Sequence, residues 1–178
     1  MPIEGLPDID DQDRTLYEAQ RRVLNRWQFG DEDAEFGHPS RYLNVSAWDW
    51  LFLDVAVPEG WDHLFEKHNL TIDLDSPIDK PMVWRERNDY TIVDDSIHTT
   101  IIGVPLGMGL FNRFVILHEF LHLVTGERQH PPHFVSLFTE KLDEYVEPGV
   151  GADLWEEYLR VSEEFEEHGF QGYTPLEF

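Results

Sequence analysis

The chain has 178 residues, which suits one domain of ordinary size and leaves no room for a second large one. It contains no cysteine, so disulfides, thiolate metal sites and cysteine nucleophiles are excluded, and a metal ion would have to bind His, Asp or Glu. With 36 acidic and 13 basic residues the formal net charge is −23, a surface that repels nucleic-acid backbones and anionic lipid and indicates adaptation to a high-salt cytoplasm.

The amino-terminal part of the chain predicts a helix and no targeting segment. The opening MPIEGLPDIDDQDR is acidic and has no apolar run, so we expect no signal peptide. No stretch approaches the roughly 18 apolar residues of a membrane span, and we expect a cytoplasmic protein. Residues 11–29 carry one apolar stripe at helical spacing, in which Asp11 or Asp13 can cap the start and Gly30 ends the helix.

The rest of the chain predicts a small sheet followed by helices. Residues 30–41 read as a polar loop, and the aromatic and branched residues of 42–57 predict a strand or a short helix. The expected short helix is 61–69, the expected strands are 82–87, 90–93 and 97–104, and the later helices are 110–125, 132–146 and 153–168. This order of elements predicts a single α+β domain over residues 1–178.

The helix 110–125 carries the motif HEFLH. His118 and His122 are four residues apart and therefore share one helix face, and Glu119 lies beside that face. This is the H-E-x-x-H arrangement of zinc hydrolases, in which neutral imidazoles hold Zn²⁺ and a glutamate takes a proton from water. The helix is apolar almost all round, which predicts burial, and a metal ion would offset the cost of burying these polar groups.

A catalytic zinc ion needs a third protein ligand and one open position. His130 and His133 both follow the helix, after the break at Gly126, and each is close enough along the chain to turn back towards the pair. His130 precedes two prolines in a rigid extended segment, whereas His133 belongs to the first turn of the next helix. The residue pattern alone favours His130 and leaves His133 as an alternative ligand.

The segment HEFLH…HPPHF resembles the H-E-x-x-H…H-x-P-x-F pattern of a little-characterised family of small zinc metallohydrolases. That family is known from bacteria and tailed phages and is distantly similar to SprT-like metallopeptidases of the zincin type. DQDRTLYEAQ at 11–20 and EEHGF at 166–170 agree with it, so the likeness covers about 11–29 and 90–170. The family's usual glycine after the third histidine is Pro131 here, which reshapes the pocket wall and removes no ligand.

The resemblance implies a zincin-like fold with zinc on His118, His122 and His130, and with Glu119 as the base. It makes Phe134 a packing residue under the site. In peptidases of this type a sheet edge beside the metal binds extended peptide, so the strand 97–104 becomes the candidate substrate shelf. The substrate-binding residues expected on that strand are Thr99, Thr100 and Ile101. A tyrosine or histidine often stabilises the oxyanion in such enzymes, and the candidates are His133 and Tyr158.

Two functions of different classes follow. The first is a zinc-dependent metallohydrolase, most simply a peptidase acting on peptide or protein. The alternative is a structural or assembly component, for instance of the virion of a tailed phage, with a viral or cellular protein partner. In that case the metal ion would only stabilise the fold. The fourth coordination position of the metal ion distinguishes the two functions. In an enzyme this position is open beside a cleft, whereas in a structural metal site a protein side chain fills it. Neither function involves a membrane, and the charge disfavours nucleic acid as a partner.

Overall fold

The computed structural model describes residues 11–27, 44–76, 82–87, 98–105 and 112–168. They form a mixed α+β structure, mostly helical, with one small sheet, which confirms the predicted fold class at that level. In chain order the elements are α1 (Asp11–Trp27), α2 (Asn44–Asp49), a π-helical segment (Trp50–Ala56), α3 (Val57–Glu59), α4 (His63–His68), β1 (Leu70–Ser76), β2 (Met82–Arg87), β3 (His98–Pro105), α5 (Asn112–Thr125), α6 (Pro132–Tyr145) and α7 (Val150–His168). Within these ranges no helix is both long and apolar enough to cross a membrane.

Most predicted elements agree with the structure to within a few residues, and the start of α7 differs for a local reason. Helix α7 begins at Val150, three residues before the expected start. The carboxylate of Asp143 in α6 accepts hydrogen bonds from the backbone N–H groups at the beginning of α7, those of Gly149, Gly151 and Ala152. These amides have no partner within the helix, so the carboxylate from α6 supplies one and extends α7. The predicted loop 30–41 and strand 90–93 lie outside the described residues.

Of the two possibilities for 42–57, the structure shows the helical one. The buried residues Ala47, Trp50, Leu51 and Val55 recur every three or four positions, which is a helical period and not the alternation of a strand. The segment Trp50–Ala56 is π-helical, a wider turn that inserts one extra residue. The aromatic composition that suggested a strand therefore reflects burial against the core.

The sheet contains a strand that the sequence pattern did not predict. Strand β1 was missed, although Leu70 and Ile72 alternate with polar residues. The strand order is β1-β3-β2, with β1 parallel to β3 and β2 antiparallel to β3. Leu70, Ile72, Ile102 and Val104 are all buried, and their even spacing places them on one sheet face. That face packs on α5, the helix that carries His118 and His122.

Helix α5 lies at the centre of the core. Every residue from Phe114 to Leu121 is buried, including His118 and Glu119, as the apolar sequence predicted. Phe138 of α6 packs edge-on against Phe114, with ring centroids 5.1 Å apart. The motif histidines are thus carried by the most buried helix of the described structure.

Ion pairs join α1 to α7 along their contact. Arg22 pairs with Glu164 at 2.6 Å, and Arg26 pairs with Asp153 and with the buried Glu157, each at 2.9 Å. The indole N–H of Trp27 donates to Asp153 at 3.0 Å. Since Glu157 is buried, the arginines compensate a charge that would otherwise be costly. These contacts fix the position of α1, whose first turn contains Asp13, a residue that contacts His130.

Candidate metal centre

Helix α5 presents two imidazoles from successive turns, one packed edge-on against the other. The ring centroids of His118 and His122 are 5.1 Å apart, His118 is fully buried, and His122 is partly exposed towards a cleft. The four-residue spacing places both rings on one face of the helix. Two imidazole nitrogens that could bind a metal ion therefore face the same point.

His130 joins this pair from the loop between α5 and α6. Its ring centroid lies 4.8 Å from each of the other two, and its Nε2 is 2.8 Å from Nε2 of His118. One nitrogen from each ring falls within 4.8 Å of the others, so the three side chains lie close enough to hold a metal ion. Among the described residues, no fourth His, Asp or Glu belongs to this group.

The loop that returns His130 depends on a glycine. Gly126 follows α5 with φ of +72°, a left-handed conformation that side-chain-bearing residues adopt at a cost, and its N–H bonds to the carbonyl of His122 at 3.0 Å. The chain then reverses, and the carbonyl of Glu127 comes within 2.7 Å of Nδ1 of His122. A carbonyl oxygen only accepts, so Nδ1 of His122 carries the proton and Nε2 keeps its lone pair.

Asp13 orients His130 from the other end of the sequence. Its Oδ1 accepts two hydrogen bonds from His130, one from the backbone N–H at 2.8 Å and one from Nδ1 at 2.7 Å. Asp13 is itself buried, in the first turn of α1. A carboxylate behind a ligand histidine fixes the ring's orientation and makes its other nitrogen more basic. The sequence pattern suggested Asp13 only as a helix cap, and the likeness of 11–20 to the zinc family was the one signal that pointed to its segment.

The surroundings favour the neutral forms of the two imidazoles on α5, those of His118 and His122. Burial, with smaller contributions from His130 and His122, holds the pKa of His118 well below its usual value of 6.5. Burial and His130 lower the pKa of His122 to about 4, against the opposing effect of the Glu127 carbonyl. A neutral imidazole is the form that binds a metal ion, so the site is ready to do so at neutral pH.

Aromatic rings enclose the cluster. Phe134 stacks on His122 with centroids 4.6 Å apart and also contacts His118 and His130, at 5.4 and 5.1 Å. Tyr17 packs edge-on against His130 at 5.3 Å. Phe134 thus lies where the resemblance placed it, beneath the three rings. Such packing locks the rotamers of the histidines and holds their geometry.

The two other side chains considered for the site lie elsewhere. The side chain of His133 is 63% exposed, and its Nε2 is 3.2 Å from a carboxylate oxygen of Glu127. Helix α6 starts with Pro132, and His133 falls on its solvent-facing side. Tyr158 belongs to the hydrophobic core in α7, where its ring stacks on Trp155 at 5.8 Å. Neither residue lines the cleft beside the histidines.

A cleft of about 710 Å³ opens beside the cluster. Glu119, His122, His130 and Tyr17 are among its lining residues. Strand β2 contributes four consecutive residues, from Met82 to Arg85. Strand side chains alternate between the two faces of a sheet, so four consecutive lining residues mean that the cleft runs past the edge of the strand.

The strand predicted to bind substrate, β3, does not offer a free edge. Strand β3 is central, with β1 on one side and β2 on the other, so its backbone cannot accept a further strand. Thr100 faces the cleft, whereas Thr99 and Ile101 point to the opposite sheet face, and the Thr99 hydroxyl accepts a hydrogen bond from Asn69 at 3.1 Å. The edge beside the cleft belongs to β2, and no strand that the structure describes pairs with its outer side.

Replacing Asp13 by asparagine is expected to weaken zinc affinity by about 10- to 100-fold, the range for removal of a carboxylate behind a ligand histidine. Asparagine keeps one oxygen acceptor and loses the charge, so the fold should persist. Competition against a colorimetric zinc chelator measures the affinity, with Asp49→Asn, at an exposed aspartate of α2, as the matched control. Equal affinities for the two variants would show that Asp13 does not support the site.

Comparison of the chain with protein-family models, with curated proteins and with solved structures finds no match.

Proposed function

We propose that this protein is a zinc-dependent metallohydrolase of zincin-like fold, and specifically a peptidase. The observation that carries the proposal is the convergence of three imidazoles on one point beside an open cleft that Glu119 also lines. A structural zinc site is closed by four protein ligands, whereas a catalytic site has three and an open position. The three-histidine group next to a cleft supports the enzyme over the structural component.

The donor set fits zinc. The three ligands are imidazole nitrogens, a set that suits Zn²⁺ and other late first-row metals, and the chain has no thiolate to offer. Two of the three ligands are oriented by a hydrogen bond from Nδ1. His130 donates to the carboxylate of Asp13, and His122 donates to the backbone carbonyl of Glu127. Bound there, Zn²⁺ would supply Lewis acidity and bring the pKa of water near neutrality.

Glu119 is the residue of this chain that would move the proton. It follows His118 on α5, is buried, and lines the cleft, so its carboxylate faces the space where water and substrate meet. We assign it the role of general base, which takes a proton from the attacking water and returns it to the nitrogen of the leaving amine.

Strand β2 would hold the substrate. Its outer edge borders the cleft and offers backbone N–H and C=O groups to an extended chain. Addition of a peptide strand to such an edge gives affinity through main-chain hydrogen bonds with little dependence on sequence. This geometry favours a peptide over a compact small molecule as the substrate.

Removal of a ligand tests the proposal. His130→Ala should lower zinc affinity by more than about 100-fold, since loss of a ligand exceeds the effect of losing a supporting residue. His133→Ala is the matched control and should retain zinc, because His133 is exposed and outside the cluster. Zinc content is measured by mass spectrometry after dialysis, and cleavage of a random peptide pool is followed before and after chelation and zinc addition.

Two results would contradict the proposal. If His130→Ala and His133→Ala retain equal zinc, the three-histidine site is not the metal centre. If the zinc-loaded protein cleaves no peptide in the pool, the peptidase assignment fails.

A further inference from the structure

The basic side chains of this protein are of two kinds. Several of those described are engaged by carboxylates, as in the pairs of Arg22 with Glu164 and of Lys141 with Glu59, both at 2.6 Å. Within the part of the chain that the structure describes, Lys67, Arg85 and Arg128 form no ion pair. In a chain with 36 acidic and 13 basic residues, carboxylates are plentiful, so these cations are not unpaired for lack of partners.

The unpaired cations gather at the cleft. Arg85 on β2 and Arg128 in the loop after α5 both line it, and both are exposed. His68, which also lines the cleft, has its pKa lowered by burial and then by the positive charges of Arg85 and Lys67, which places those two cations near it. Two unpaired arginines thus line the cleft, and Lys67 lies near one of its lining residues, on a molecule whose net charge is −23.

Thr100 adds an unsatisfied donor to this region. Its side chain is 1% exposed and lines the cleft, and its hydroxyl has no hydrogen-bond partner. In the β2–β3 pairing Thr100 lies directly opposite Arg85, so the two side chains are on the same sheet face. A buried hydroxyl without a partner is costly, and a ligand that accepts its hydrogen bond would remove that cost.

Among the described residues, the carboxylates of the cleft lining are Glu119 and Glu127, equal in number to the arginines Arg85 and Arg128. Glu119 follows His118 in the chain, beside the three histidines. A divalent cation bound by those histidines would add two positive charges to this balanced lining. The metal-loaded cleft would therefore attract anions.

We propose that the cleft selects substrates that carry a carboxylate close to the scissile bond, held by the guanidinium of Arg85 and the hydroxyl of Thr100, with Arg128 as a second cation. The identification of these substrates as peptides rests on the proposed peptidase function. The guanidinium fork matches the two oxygens of a carboxylate, and the hydroxyl can donate to the same group. The carboxylate comes from an acidic side chain or from the end of the peptide, and both sources present the same chemistry.

Peptide binding without turnover tests the selection. Four peptide pools are offered to immobilised, zinc-loaded Glu119→Gln protein, at a salt concentration that keeps the protein folded. One pair of pools contains Asp and Glu and the other contains Asn and Gln in their place, and each pair is made with free and with amidated carboxyl termini. We expect about 10-fold tighter binding of the pools with a carboxylate, the effect of one charge-assisted contact. The amidated pools separate side-chain from terminal carboxylates.

Substitution of the arginines identifies the residues responsible. In the same background, Arg85→Gln should remove most of the preference and Arg128→Gln part of it. Arg21→Gln is the control, because it makes the same change in net charge on α1, away from the cleft lining. Equal binding of all four pools, absence of binding, or a preference that survives both arginine substitutions would each overturn the proposal.

The two proposals fail separately. If zinc-loaded wild-type protein cleaves no peptide while the preference for carboxylates persists and depends on Arg85, the peptidase assignment is wrong and the anion recognition stands. If it cleaves all four pools at equal rates, including the amidated pool that has no acidic side chain, the recognition is wrong and the peptidase assignment stands.

Discussion

Glu119→Gln is expected to lower peptide hydrolysis by about 100- to 10,000-fold, the contribution typical of a general base. Glutamine has nearly the same shape as glutamate and cannot take a proton from water at neutral pH. The three histidines are unchanged, so zinc content should remain that of the wild type. Rates of peptide cleavage with saturating zinc, together with zinc content after dialysis, measure the two properties on one preparation.

Glu127→Gln is the matched control for this substitution. Glu127 also lines the cleft, but its carboxylate faces the exposed His133, and its contact with His122 is made by the backbone carbonyl, which the substitution preserves. We expect its hydrolysis rate to stay within about threefold of the wild type, since a surface ion pair contributes little. Equal losses in both variants, or activity retained by Glu119→Gln, would refute the role of Glu119 as the base.

Gly151→Ala is expected to destabilise the fold strongly. A Cβ at Gly151 would lie 1.8 Å from the carbonyl oxygen of Thr139 and 2.9 Å from Cγ of Asp143, so α6 and α7 would have to move apart. Overpacking of this kind costs about 1–3 kcal/mol or more, and the close approach to backbone places it at the upper end. We expect a loss of about 3 kcal/mol in the free energy of unfolding and a Tm lower by about 6–12 °C.

Gly60→Ala separates this steric effect from backbone strain. Gly60 has φ of +75° and no heavy atom within 4 Å of the added Cβ, so the substitution introduces strain alone. It should cost about 1–2 kcal/mol. Thermal unfolding of the two variants and the wild type under one buffer condition compares them. A Gly151→Ala protein as stable as Gly60→Ala would mean that α6 and α7 do not pack as closely as the structure shows.

Several elements could be predicted from the residues because their signals are local. Helices α5 and α6 carry unbroken apolar periodicity and end at glycine or begin at proline, so their bounds depend on residues within one or two turns. The same local period placed His118 and His122 on one face and Glu119 beside it. In contrast, the segment 42–57 remained open between strand and helix, since aromatic residues suit either when they are buried.

Other features depend on contacts between distant segments. The residue pattern favoured His130 and left His133 as an alternative ligand. Only the packing of α6 after Pro132 turns His133 to solvent and leaves His130 inside. The role of Asp13 was not predictable from its neighbours, because it lies 117 positions before the histidine that it orients. The edge position of β2 follows from strand order, to which the unpredicted β1 contributes.

The sequence by itself determined the buried helix with its two histidines and glutamate, the absence of thiolate chemistry and the acidic surface. These properties follow from composition and from a period of 3.6 residues, which any short stretch of chain already contains. Only the tertiary structure decided the third histidine, the carboxylate behind it and the strand that borders the cleft. Each of these features depends on contacts between segments that are far apart in the chain. The packing of the whole core determines which of those contacts form.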